Sequence, residues 1–180
     1  MFKEARNGVN LSLDKASRKI PCGRRNLARY ETGEVVPSPD VVLRMSKVYK
    51  CPEMTHIYCR EHCAIGREYA YDYLDAVNSD PISVIAKLAG EMDEVHGILN
   101  NLFALTVNKN KREDFSDEEW ELFTEYVLEL LDVEHAVEML KISLGHWCDV
   151  AGLVEEHNQK CIRQGYKRTK KEAALAMAAT

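Results

Sequence analysis

The chain has 180 residues, 24 Lys and Arg against 29 Asp and Glu, and a formal net charge of −5; this length holds one domain, or a small domain with an accessory segment. No apolar run reaches the length of a membrane span, and the opening residues Met1-Phe2-Lys3-Glu4-Ala5-Arg6 lack a signal-peptide core, so a cytoplasmic chain without a spanning helix is expected. The net charge speaks against a nucleic-acid binder, but its distribution does not: residues 1–50 carry +6, residues 51–163 carry −14 and residues 164–180 carry +3. A basic head on an acidic body is expected where one end of a protein meets phosphate.

Strand signals are nearly absent, and apolar residues recur three and four apart, so the class is all-α. Gly8 closes a first helix. Ser12 caps a second, from about Leu13 to Ile20, which Pro21-Cys22-Gly23 breaks. A third runs from about Arg24 to Glu31 and stops at Gly33. The segment Val35-Val36-Pro37-Ser38-Pro39 is a stiff connector, since each Pro biases the residue before it away from helix. A fourth helix covers about Asp40 to Lys50, and a fifth starts near Pro52. Residues 64–80 read as a connector holding a short helix that ends near Asn78-Ser79-Asp80. Pro81 opens a long helix whose Ile85, Leu88, Met92, Val95, Leu99 and Leu102 form a heptad seam. After the polar loop Asn108-Lys109-Asn110-Lys111, Ser116 and Glu119 form a capping box. From there Trp120, Phe123, Val127 and Leu130, then Val137, Leu140, Leu144, Trp147, Ala151 and Val154, suggest a helix that passes through Gly145 and Gly152. The expected domains are 1–63, a connector 64–80, a helical body 81–165 and a flexible tail 166–180.

The stretch from Leu11 to Val48 carries the strongest motif. Leu11-Ser12-Leu13-Asp14-Lys15-Ala16-Ser17, then Leu27, Tyr30 and the Glu31-x-Gly33-x-x-x-Pro37 spacing, then Val42, Met45 and Val48, resemble the XRE family of phage-repressor-like DNA-binding domains over about residues 2–60. The resemblance implies a five-helix domain with a helix-turn-helix, followed here by a helical hairpin or coiled-coil-like body. It further implies a phage or mobile-element setting. A recognition helix must bury one face and offer the other to the major groove. Leu27 and Tyr30 suit the inner face, leaving Arg24, Arg25, Asn26 and Arg29 outside. Arg pairs bidentately with guanine and Asn with adenine. By the resemblance Arg24, Arg25 and Arg29 read bases, Asn26 touches a phosphate or base, and Ser12 and Lys15 complete the DNA-contacting set. Leu13 departs from the polar residue the family often has there, and leucine cannot donate to phosphate. Ser17 sits where the family packs a small Ala between its second and third helices, and Gly23 replaces a capping Ser or Thr. The competing reading is a solvated basic face, or a domain that keeps the fold without DNA binding.

Six cysteines in a cytoplasmic chain are reduced, buried or metal-bound more readily than paired. Cys51, His56, Cys59, His62 and Cys63 lie close in sequence. Cys51, His56, Cys59 and Cys63 are candidate zinc ligands, although their spacing matches no zinc ribbon or finger, and packing of the fifth helix on the fourth explains them equally. No other cofactor is expected. No nucleophile elbow, phosphate loop or His-Glu-x-x-His motif appears, so an enzyme is not expected. The seams of the body bury against each other as a hairpin, against a second chain, or both; Trp147 in the overhang of the second helix favours a homodimer. The function expected is a sequence-specific repressor bound as a dimer to a double-stranded DNA operator. The alternative is an antitoxin or adaptor whose acidic helices bind a protein partner, with DNA binding autoregulatory or lost. The last residues, Ala173 to Thr180, resemble the Leu-Ala-Ala ending of bacterial degradation tags, apart from Thr180.

Overall fold

Phe2, Ala5 and Val9 fall on one side of the first helix, α1 (Phe2–Gly8), and pack on a core built by the four helices that follow. These are α2 (Leu13–Lys19), α3 (Arg24–Glu31), α4 (Pro39–Tyr49) and α5 (Glu53–His62). The computed structural model describes residues 1–167, and no strand occurs among them. The core joins Ala16 and Ile20 of the α2 region, Leu27 of α3, Val42, Met45 and Tyr49 of α4, and Met54 and Tyr58 of α5. Burial of each large apolar side chain here is worth roughly 1.5–3 kcal/mol. Ser12 caps α2 by accepting from the Lys15 N–H, and Pro39 supplies the fixed φ that starts α4. Every helix of this bundle falls within a residue or two of its expected place. The small residue buried in α2 is Ala16, however, not Ser17, whose half-exposed hydroxyl donates to the Asp14 carbonyl.

The short helix expected across 64–80 is α6 (Ala64–Tyr69), and it stops nine residues before Asn78. Residues 70–80 run without helix and lie along the helix α8 (Asp117–Leu144). Tyr71 stacks on His135 with ring centroids 4.6 Å apart, and the Ser143 hydroxyl donates to the Ser79 carbonyl at 2.6 Å. These aromatic and hydroxyl contacts take the backbone that a longer helix would have used. Asp80 then caps α7 (Pro81–Thr106), its carboxylate accepting from the Ile82 and Ser83 N–H groups.

α7 and α8 pack as an antiparallel hairpin. Its tip is set by a 3-10 turn (Arg112–Asp114), the Ser116–Glu119 capping box and a cluster of Phe115, Trp120 and Phe123. Lys109 bonds Glu119 at 2.7 Å, and the Arg112 guanidinium lies 4.7 Å above the Trp120 ring. The heptad seam expected on α7 splits between two faces. Val84, Leu88, Val95, Ile98 and Leu102 are buried or half-buried, whereas Ile85, Met92 and Leu99 are exposed together with Ile82 at 71 % and Phe103 at 69 %.

The continuous helix expected over 116–160 is broken. α8 ends at Leu144 with Gly145 as its cap, and α9 (Val150–Arg163) starts anew behind Asp149, whose carboxylate accepts from the Gly152 N–H. Gly145 lies where a Cβ would come within 2.8 Å of Pro52, at the foot of α5, so this end of α8 closes on the bundle only through a glycine. The chain divides after His146 into one unit, Met1–His146, and a second that begins at Trp147 and contains α9. The degradation-tag likeness, from Ala173 to Thr180, lies outside the described residues.

Candidate nucleic-acid interface

The seat of α3 is built from both of its ends. Gly23 caps the start without a side-chain bond. At the other end Gly33 takes a left-handed φ of 74°, its N–H donating to the Tyr30 carbonyl and the Glu34 N–H to the Arg29 carbonyl. This paired closure satisfies the last carbonyls of the helix and asks for glycine at residue 33. Leu27 is fully buried and Tyr30 packs half-buried on the core, as a helix with one inward face requires.

A buried ion pair that the motif reading missed fixes the helix further. Arg6 of α1 donates from Nε to Glu31 Oε1 at 2.6 Å and from its second guanidinium nitrogen to Oε2 at 2.9 Å. Its remaining nitrogen donates to the Leu11 carbonyl at 2.5 Å. The two side chains are 9 % and 5 % exposed, so the Glu31 carboxylate is desolvated and depends on this partner. The pairing raises the guanidinium above its ordinary value. The conspicuous sequence signal was Arg6 itself, a charge between Phe2, Ala5 and Val9 on the buried stripe of α1. Two further ties went unread: Tyr58 donates to the Pro37 carbonyl at 2.8 Å, and Arg44 Nε donates to the Lys19 carbonyl at the end of α2. Beside the ion pair, the buried Tyr49 hydroxyl has no hydrogen-bond partner, and burial pushes its ionisation far up.

The outer face of α3 carries Arg24, Arg25 and Asn26, all exposed, with Arg29 half-exposed beside them. Arg24 lies 3.2 Å from Asp14 on α2, and Arg29 Nε donates to Glu34 at 2.9 Å. Arg25 has no ion-pair partner among the described residues. Exposed pairs of this kind are worth little in water, so both arginines exchange a carboxylate for phosphate or a base edge at small cost. Lys15 is exposed on the first turn of α2, and Ser12 spends its acceptor on the cap while its hydroxyl proton remains available. Leu13 is half-buried and packs on the core, which accounts for an apolar residue there.

The cysteine–histidine set does not converge. Cys51 stands before α5, Cys59 lies near its end and Cys63 closes it. Burial, followed by a hydrogen bond to Glu53, pushes the Cys51 thiol up to about 12. His56 is buried with Nδ1 3.3 Å from Glu138 of α8, and its Nε2 has no partner. Cys59 is exposed, and partial desolvation of its thiol together with the nearby Cys63 raises it. Only Cys63 is lowered, by the backbone N–H groups of Gly66 and Ile65 at the start of α6. Among the described residues no group of three or more His, Cys, Asp or Glu side chains is placed to hold a metal ion. The four candidate residues Cys51, His56, Cys59 and Cys63 thus occupy separate packing and terminus positions on and beside α5.

Residues 2–55 match the family model described as a helix-turn-helix domain. The match spans α1 to the start of α5 and leaves the hairpin and α9 uncovered. Comparison with curated proteins and with solved structures finds no match. The helix-turn-helix domain suggests a DNA-binding regulator. No helix among the described residues is long and apolar enough to cross a membrane.

Proposed function

We propose that the chain is a transcriptional regulator of the XRE type that lays α3 in the major groove and acts as a dimeric repressor. The observation that carries this is the arginine face of α3, presented by a bundle that matches a helix-turn-helix domain. Arg25 is the first base reader, since it pays nothing to leave an intramolecular partner. Arg24 and Arg29 read flanking bases or phosphate, Asn26 contacts a base or phosphate, and Lys15 and Ser12 hold the backbone. A regulator of this kind works in the cytoplasm, where the DNA is.

The dimer is supported by the free stripe of α7. Ile82, Ile85, Met92, Leu99 and Phe103 face solvent, with Ile85, Met92 and Leu99 one heptad apart, the spacing of a helix that packs on another helix. A second copy covers both stripes at once in an isologous interface and presents two recognition helices to paired half-sites. The acidity of the body favours a second reading, an antitoxin or adaptor that places this stripe on a different protein.

The experiment is fluorescence anisotropy on a duplex selected from a random pool. Arg25→Ala and Arg29→Ala each cost about 1–3 kcal/mol of binding and relax discrimination at one base position. Wild-type affinity in both variants contradicts the assignment of α3.

A further inference from the structure

Residues 70–80 and the base of the hairpin enclose a cavity of about 450 Å³, within the range of small-molecule sites. Its apolar lining comes from Leu74 and Val77 of the connector, Val84 of α7, and Ala136 and Met139 of α8. Lys87, Glu91 and Asp132 lie at its polar end. The Lys87 ammonium pairs with Glu91, so that pair is close to neutral, while the Asp132 carboxylate has no ion-pair partner among the described residues. Beyond it, desolvation and the charges of Glu94 and Asp132 hold the Glu129 carboxyl above its ordinary value. One ammonium against the carboxylates of Glu91 and Asp132 leaves this end of the cavity negative. His135, on the wall, is committed elsewhere: it stacks on Tyr71, and its Nε2 donates to the Asp72 carbonyl at 3.0 Å.

We propose that this cavity binds a small organic amine with an apolar body. The ammonium meets Asp132, and the hydrocarbon lies between Val77, Leu74 and Met139. A neutral hydrocarbon leaves the carboxylate without a partner, and an organic acid meets the same field with the wrong sign. The site also has leverage. Leu74 and Val77 belong to the connector between the helix-turn-helix bundle and the hairpin, and the connector is held on α8 by Tyr71, Asp72 and Ser79. An occupant that shifts these ties changes the freedom of the bundle, an effect whose use as a switch rests on the DNA-binding reading above.

Isothermal titration of the full chain with 4-phenylbutylamine and with 4-phenylbutyrate separates the charge from the shared hydrocarbon body. The amine is expected to bind about tenfold or more tightly than the acid. Asp132→Asn, an exposed substitution, removes that preference, and Val77→Trp at the rim blocks both ligands. Equal binding of the two compounds, no saturation by the amine at about 1 mM, or unchanged preference in Asp132→Asn overturns the proposal. Because the titration contains no DNA, failure of the regulator reading leaves its result intact. Failure of the titration in turn leaves duplex binding by α3 untouched.

Discussion

Arg6 and Glu31 show how much one pair of side chains decides. The carboxylate that ends α3 is buried, and nothing but Arg6 neutralises it. Arg6→Met should destabilise the domain by about 3–5 kcal/mol, because it leaves a desolvated charge without a partner. Urea unfolding followed by circular dichroism checks this, and a loss below about 1 kcal/mol, the range of an exposed pair, contradicts it. Tyr49 next to it is the reverse case. Its buried hydroxyl forms no hydrogen bond, so Tyr49→Phe should be neutral or stabilising by up to about 1 kcal/mol in the same assay; a loss of stability would show that the hydroxyl has a partner. At this scale the sequence was partly legible. Arg24, Arg25 and Asn26 emerge on the exposed face where helical spacing put them, and Arg29 stays half-exposed. Glu31 was visible as part of a motif, but its partner sits 25 residues away on another helix, a contact that no local pattern encodes.

Elements whose boundaries rest on local chemistry match expectation, and those that rest on tertiary contact do not. The Ser12 cap, the Gly33 closure and the Ser116–Glu119 box each depend on a few neighbouring residues and fall where they were expected. The end of α6 and the break at Gly145 depend on Tyr71 meeting His135 and on Pro52 meeting Gly145, so spacing alone carried both helices too far. The seam of α7 failed for a different reason. Residues three apart stand about 60° apart around a helix, and the hairpin covers the row of Leu88, Val95 and Leu102 while the row of Ile85, Met92 and Leu99 stays exposed. What is left is the exposed stripe. If a second copy covers it, Met92→Glu with Leu99→Glu in the full chain should convert a dimer to a monomer in sedimentation at micromolar concentration while the helical content stays unchanged. A wild-type chain that sediments as a monomer there contradicts the dimer and favours a different protein partner on the acidic helices.

For the whole molecule, charge separates the labour. A basic head of +6 precedes a body of −14; in the proposed function the acidic body repels phosphate and leaves the α3 side to meet DNA. The start of α7 was legible because Asp80 and Pro81 punctuate it locally. The cavity behind the connector was not, because it is lined by residues from three segments that meet only on folding. The cysteines show the same limit: residues close in sequence are spread along and beside α5. The proposed regulator must read sequence and not merely attract phosphate. The ratio of affinities for a duplex enriched from a random pool and a scrambled duplex of the same composition, at about 150 mM salt, separates the two. A ratio of about 10³ or more is expected; equal affinity for the two duplexes would contradict sequence reading by the bundle.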